Sequence, residues 1–138
     1  MIVETIRSDR RNGVEKGTGM QIAVCCPNAE EGRRICRIIE AQATSAHTGA
    51  ETVEFRSEEA LWRAFVPGKF RGAVVGYGDV KGFLCARRLR EEDRACRVVL
   101  LDDTDRYAIR GLRIHLTDYL VRPLEEQHFR TAMERIIM

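Results

Sequence analysis

Short apolar segments alternate with longer amphipathic segments over most of this chain, and this alternation restricts the fold more than any other feature of the sequence. Each short segment is typical of a buried strand, and the segment after it has apolar residues at helical spacing. The order predicts an α/β fold, a doubly wound, flavodoxin-like five-stranded parallel sheet with five helices. The predicted strands are Gln21–Cys26, Glu51–Phe55, Gly72–Tyr77, Arg97–Leu101 and Asp118–Val121.

Capping residues indicate where the first two helices begin. Asn28 follows the first strand and precedes Glu30 and Glu31, which suit the positive end of a helix. Ser57 has the same place before the second helix, which ends near residues 67–68. The remaining helices are predicted at Gly82–Arg90, Asp105–Leu112 and Glu125–Met138.

Length and composition indicate one globular domain. The chain has 138 residues, of which 44% are hydrophobic and 32% are charged. The segment 1–19 is charged, contains three glycines and has no apolar period, so it is predicted to be a flexible tail before a domain at 20–138.

Charge and cysteine content exclude several classes of function. The net charge is +2 and both signs are scattered, which predicts no direct nucleic-acid binding. No apolar run has the length of about 18–20 residues that a membrane span requires, and the amino terminus lacks the layout of a signal peptide. The five cysteines have no metal spacing. We therefore expect a cytoplasmic protein with reduced cysteines, no metal site and no membrane contact.

Ligands of a doubly wound sheet gather where the strands end. That rule directs attention to Cys26 and Pro27, to Tyr77, to Asp102 and Asp103, and to Arg122 and Pro123. No Ser-His-acid set, metal-binding spacing or glycine-rich phosphate loop is recognisable among them, so the chain is not expected to be an enzyme.

The segment Asp105–Leu124 carries a specific resemblance. Its Tyr107-Ala108 pair and the run from Asp118 to Pro123, in which a strand ends in a basic residue and a proline, resemble the fourth helix and fifth strand of response-regulator receiver domains, most closely the LytTR-type subgroup. The resemblance covers residues 20–138. It implies a signalling module of a two-component, phosphorelay-type system, from bacteria and connected with transcription regulation.

The positions that carry phosphorylation chemistry in that family are altered here. By resemblance, the acidic pair that ends the first strand falls on Cys26 and Pro27, and the phosphoacceptor aspartate falls on Tyr77 or on Gly76. The hydroxyl residue that ends the fourth strand falls on Asp102.

The family's lysine falls on Arg122. Phosphoryl transfer to aspartate needs Mg²⁺, which binds carboxylates, carbonyls and waters. A thiol, a proline and a phenol do not replace those carboxylates, so we expect that Mg²⁺ binding is lost, that no cofactor is required and that the chain is a degenerate pseudo-receiver.

The charges that remain predict an ion pair. Arg122 and Asp102 end neighbouring strands, and guanidinium and carboxylate groups match as a fork. We therefore hypothesise a permanent Arg122–Asp102 pair, with separate solvated charges as the alternative.

Two other functions stay open. Asp79, near the missing acceptor, is a candidate displaced acceptor in a receiver with rearranged acids that include Asp102 and Asp103. Alternatively, an exposed Cys26 with Arg122 close enough to favour its thiolate would make a thiol-based sensor.

The main hypothesis is a module that acts by protein–protein contact and without phosphorylation. By resemblance, its surface is the face formed by the fourth helix, fifth strand and fifth helix, with Tyr107 and Tyr119, and its partner is another protein or a second copy. A half-buried tyrosine that simply packs is the alternative for Tyr119.

Overall fold

The computed structural model describes residues 20–138, and the tail predicted at 1–19 lies outside the described residues. Strands and helices alternate strictly along the described chain. The strands are β1 (Met20–Cys25), β2 (Ala50–Phe55), β3 (Gly72–Val75), β4 (Arg97–Asp102) and β5 (Asp118–Val121). The helices are α1 (Ala29–Ser45), α2 (Glu58–Ala64), α3 (Asp79–Glu92), α4 (Ala108–Arg113) and α5 (Glu126–Ile137).

All strand pairs are parallel, and the strand order is β2-β1-β3-β4-β5. The order reverses between β1 and β3, so the carboxyl ends of these two strands flank the crevice where ligands of such sheets bind. The predicted five-stranded doubly wound fold is confirmed.

Alternate residues of each central strand face opposite layers. Ile22 and Val24 pack with α1 and α5, whereas Ala23 and Cys25 pack with α2 and α3. The adjacent Cys25 and Cys26 therefore belong to opposite layers, and both are free thiols.

The predicted helix caps are present. The Asn28 side chain accepts a hydrogen bond from the backbone N–H of Glu31 at 2.8 Å, and Ser57 accepts one from that of Ala60 at 3.2 Å. Most predicted element ends lie within two residues of the observed ones. The exceptions are α2, which ends at Ala64 rather than near residues 67–68, α3, which begins at Asp79 rather than Gly82, and α4, which begins at Ala108 rather than Asp105.

Histidines close two of the helices. His47 after α1 and His115 after α4 have φ angles of 58° and 62°, in the left-handed region. In each case two backbone N–H groups return to the last helical turn: those of His47 and Thr48 bond Thr44 and Ala43, and those of His115 and Leu116 bond Leu112 and Gly111. This is the Schellman arrangement, in which glycine is the usual residue.

Candidate functional site at the carboxyl edge of the sheet

Arg122 is the centre of the interactions at the crevice. It directly follows β5, and its Nε and Nη2 atoms donate to the two carboxylate oxygens of Glu31, each at 2.9 Å. Nη2 also donates to the carbonyl oxygen of Gly76 at 2.9 Å, and Nη1 pairs with Asp103 at 3.3 Å. Three segments that are distant in sequence therefore hold one guanidinium group.

Glu31 is the partner that sequence reasoning missed. It lies in the first turn of α1, where it was read only as a favourable charge at a helix amino terminus. That turn comes shortly after β1, so its side chains lie close to the crevice. This short spacing from the end of β1 is the sequence signal that could have pointed to Glu31. The hydrogen bond and charge of Arg122 lower the pKa of the Glu31 carboxyl below its ordinary value, although partial burial opposes this shift.

Gly76 is one of the two positions, with Tyr77, on which the phosphoacceptor of receiver domains falls by resemblance. Its backbone N–H bonds the Cys25 carbonyl oxygen at 2.7 Å and so continues the pairing of β3 with β1. A Cβ atom at Gly76 would lie 3.0 Å from Nη2 of Arg122 and 3.0 Å from the sulfur of Cys26. The space into which a side chain would extend from this position is therefore already filled by the guanidinium and the thiol.

Asp102 ends β4 and is 1% exposed. Its Oδ1 accepts the backbone N–H groups of Asp103 at 2.7 Å and Asp79 at 3.2 Å, and its Oδ2 lies 3.0 Å from the hydroxyl of Tyr119. Both carboxylate oxygens of this buried side chain thus have hydrogen-bond donors.

The hypothesis of an Arg122–Asp102 ion pair is wrong. The two residues share a backbone hydrogen bond, from Arg122 N to Asp102 O at 2.8 Å, but the guanidinium pairs with Glu31 and Asp103. The carboxylate of Asp102 instead serves backbone amides and Tyr119. Two neighbouring strand ends place backbones side by side, whereas the direction of each side chain depends on the layer that it faces.

The interpretation of Cys26 as an exposed, activated thiol is also wrong. Cys26 is 0% exposed and belongs to the layer with α1 and α5. Burial, together with the neighbouring Glu31 carboxylate, raises the pKa of the Cys26 thiol to about 12, even though Arg122 opposes this shift. A thiol with this pKa remains protonated and inaccessible at neutral pH.

Tyr77 is the middle residue of the loop between β3 and α3, and Asp79 is the first residue of α3. The Tyr77 hydroxyl lies 3.4 Å from the carbonyl oxygen of Phe55, and burial raises the pKa of Tyr77 above its ordinary value. The Asp79 side chain is 70% exposed and pairs with Arg106 at 3.1 Å. The backbone of Asp79 has a φ angle of 57°, in the left-handed region, and its N–H donates to Oδ1 of Asp102.

These residues do not fit Mg²⁺. Cys26 and Pro27 provide no oxygen side-chain ligand, the Glu31 carboxylate is occupied by Arg122, and Asp102 is occupied by its donors. Within residues 20–138, no group of three or more His, Cys, Asp or Glu side chains is arranged to hold a metal ion.

An open cleft of about 750 Å³ lies over this crevice. Its lining includes Gly76, Arg122, Asn28, Arg34 and Leu124. Three acidic residues, at positions 30, 31 and 103, and three arginines, at positions 34, 37 and 122, line it, so its charges balance in number.

The two tyrosines of the expected contact face are both half-buried. Tyr107 stacks on Phe83 with ring centroids 4.9 Å apart. The Tyr119 hydroxyl lies 2.8 Å from the Thr104 carbonyl oxygen and accepts the backbone N–H of Tyr107 at 3.3 Å. Burial raises the pKa of Tyr119 to about 12, and the Asp102 carboxylate adds to this shift.

The described part of the chain has the fold of response-regulator receiver domains. It is similar to the non-phosphorylated HemR receiver domain of Leptospira biflexa, with a TM-score of 0.73 and 15% sequence identity, over 86% of this chain and 94% of that one. It is also similar to a response-regulator receiver domain protein of Clostridium thermocellum, with a TM-score of 0.68 and 17% identity over 86% and 94%.

At the level of sequence, the chain is similar to the sensory transduction protein LytT of Oceanobacillus iheyensis, with 23% identity over 115 residues. These residues are 82% of this chain and 37% of the relative, so the chain spans well under half the length of LytT. No family model matches the sequence. None of the helices within residues 20–138 combines the length and the apolar character needed to cross a bilayer.

Proposed function

We propose that this chain is a receiver-type module of a bacterial two-component signalling system that acts by protein–protein contact and without aspartyl phosphorylation. The observation that carries the proposal is the position of Arg122. Its guanidinium stands 3.0 Å from where a Cβ at Gly76 would lie and is held there by the Glu31 carboxylate. In this proposal the protein contributes no catalysis, binds no Mg²⁺ and works in the cytoplasm.

A fixed hydrogen-bond pattern takes the place of a phosphorylation signal in this proposal. Asp102 stands where the family has a hydroxyl residue, and it holds Tyr119 through the tyrosine hydroxyl. Tyr119 in turn contacts the start of α4 through the N–H of Tyr107. The buried carboxylate thus keeps β5 and α4 in one arrangement without an added phosphoryl group.

The surface proposed for the contact is the α4–β5–α5 face. Ile109 and Leu112 on α4 are 70% and 77% exposed, and Val121 on the edge strand β5 is 43% exposed. Apolar side chains this exposed beside an edge strand favour an apolar protein partner. A second copy of the chain is the alternative occupant.

A phosphorylation assay tests the first half of the proposal. The protein is incubated with Mg²⁺ and acetyl phosphate, beside a phosphorylatable receiver domain as positive control, and intact mass is measured. We expect no added phosphoryl group. A stable adduct that peptide mapping assigns to Asp79, Asp102 or Asp103 would support a receiver with rearranged acids and overturn the proposal.

Binding experiments test the second half. Affinity capture from the source cells, followed by binding measurements with the purified candidate, is compared for the wild type, Ile109→Asp and Val66→Asp. Val66 is 57% exposed but lies outside the proposed face. We expect Ile109→Asp alone to weaken the complex, and light scattering distinguishes self-association from a different partner. Equal binding by all three proteins would reject the face.

A further inference from the structure

A strongly basic cleft lies near the amino ends of β4 and β5, whereas Arg122 lies at the carboxyl ends of the strands. Its volume is about 310 Å³, and it is lined by the arginines at positions 87, 90, 94 and 113 together with His115 and only one acidic residue, Glu91. Four guanidinium groups against one carboxylate leave an excess of three positive charges. Since the whole chain has a net charge of +2, the positive charge is concentrated here and the remainder of the chain is close to neutral.

Arg90 has a structural role in this cleft. Its Nε donates to the carbonyl oxygen of Ile114 at 3.1 Å, and Nη1 donates to those of Arg94 and Cys96, both at 2.8 Å. These bonds join α3 to the end of α4 and satisfy carbonyl groups that the helix ends leave open. The shape of the cleft is therefore held by backbone contacts.

The other three arginines are available to a ligand. Arg87, Arg94 and Arg113 are exposed, and their side chains have no ion pair, hydrogen bond or ring contact with any described residue. By contrast, the neighbouring Arg88 on α3 lies over the Trp62 ring at 3.8 Å and also pairs with Glu92. Free guanidinium groups around a formed concavity match oxyanions in a forked geometry.

We propose that this cleft binds an acidic peptide segment of a partner protein. Carboxylates are favoured over nucleic acid because the lining has no aromatic ring on which a base would stack, and Ile114 is its one apolar residue. The small concave volume suits a few acidic side chains rather than the extended phosphate track of a duplex. The cleft adjoins the carboxyl end of α4 through Arg113, but its lining includes neither Ile109 nor Leu112 of the proposed contact face, nor Arg122. Binding here therefore does not depend on the function proposed above.

Fluorescence anisotropy tests the proposal with the whole chain. The probes are a labelled peptide of about ten alternating glutamate and serine residues, the same peptide with glutamine for glutamate, and single- and double-stranded DNA of similar charge. We expect binding of the glutamate peptide that weakens as salt is added, and little binding of the glutamine peptide.

The decisive variant is Arg87→Gln/Arg94→Gln, and its charge-matched control is Arg33→Gln/Lys81→Gln. Arg33 and Lys81 are exposed and lie outside the cleft, and Lys81 shares α3 with Arg87. Circular dichroism melting verifies that both variants fold. We expect about tenfold weaker peptide binding for the cleft variant, because it loses two exposed ion pairs that each contribute modestly to binding. We expect wild-type binding for the control.

Three results would overturn the proposal. The first is the absence of glutamate-peptide binding by the folded wild type. The second is an equal loss in the two double variants, which would indicate attraction to overall charge. The third is preferential binding of DNA, which would assign the cleft to nucleic acid.

Discussion

The Tyr119 hydroxyl lies 3.0 Å from Oδ2 of Asp102 and is the one hydrogen-bond partner of that oxygen among the described residues. Asp102 is 1% exposed, so water does not readily replace the tyrosine. The pair therefore links the end of β4 to β5 through a buried charge.

Tyr119→Phe removes a hydroxyl whose single proton is shared between Oδ2 of Asp102 at 3.0 Å and the Thr104 carbonyl oxygen at 2.8 Å. The substitution therefore leaves the buried carboxylate oxygen without a hydrogen-bond donor. We expect a loss of about 1–3 kcal/mol in the free energy of unfolding, measured by urea denaturation. Tyr107→Phe is the matched control, because the Tyr107 hydroxyl has no hydrogen bond within residues 20–138 and its ring keeps the stacking on Phe83. Similar losses in the free energy of unfolding for the two variants would show that the Tyr119–Asp102 hydrogen bond does not stabilise the protein.

The Arg122–Glu31 fork predicts a pH dependence of stability. The pKa of the Glu31 carboxyl is lower in the folded protein than in the unfolded chain. The fork therefore makes its full contribution to stability at pH values above the unfolded-state pKa, and this contribution is lost as the pH falls through the folded-state pKa. We expect the free energy of unfolding of the wild type to be about 1 kcal/mol higher than that of Arg122→Gln at pH 7. This difference should shrink below about pH 4.5. Urea unfolding between pH 8 and pH 3 measures it.

Arg130→Gln is the control for that series. Arg130 forms a comparable pair with Glu126 at 2.8 Å, but on the exposed surface of α5. We expect it to change stability by less than about 0.5 kcal/mol at any pH. If the two substitutions give the same pH profile, the fork contributes no more than a surface pair.

Gly76→Ala tests whether Arg122 fills the space at the acceptor position. The new methyl group would stand 3.0 Å from both Nη2 of Arg122 and the sulfur of Cys26, so we expect a loss of about 1–2 kcal/mol in the free energy of unfolding. In the Arg122→Ala background the loss should fall, since only the thiol contact remains. A double-mutant cycle measures the coupling, and strict additivity would contradict the assignment.

The cysteines provide a direct test of accessibility. The free thiols at positions 25, 26, 36, 85 and 96 are all buried, and the pKa of Cys26 is raised to about 12. We expect the native protein at pH 8 to react with Ellman's reagent only as fast as it unfolds, whereas Val66→Cys adds one thiol that reacts at once. Rapid modification mapped to Cys26 in the native protein would restore the thiol-sensor hypothesis.

The two helix-closing histidines predict stabilising substitutions. His47 and His115 adopt left-handed conformations that glycine adopts without steric cost. We expect His47→Gly and His115→Gly each to raise the free energy of unfolding by about 0.5 kcal/mol, additively, because they close different helices. His128→Gly, inside α5, should lower it by about 1 kcal/mol. Thermal or urea unfolding measures all three, and destabilisation by the first two would contradict the capping assignment.

Local features of the sequence were sufficient to predict most of the fold. The apolar runs located the strands, and Asn28 and Ser57 marked two helix starts that the structure confirms. These signals are reliable because each depends on neighbours within one element: strand alternation, helical spacing, or a cap three residues from its donor. The strand order β2-β1-β3-β4-β5 was not predicted and is known from the structure.

The site could be predicted only in part. The sequence placed Cys26, Asp102 and Arg122 at or directly after strand ends, and these residue types predict that no carboxylate cluster like that of receiver domains forms there. It did not determine that Arg122 contacts Glu31, which lies 91 residues earlier, or that Asp102 turns to Tyr119. Such choices depend on which layer each side chain faces and on which donors come within about 3 Å after packing, and only the tertiary structure decides this.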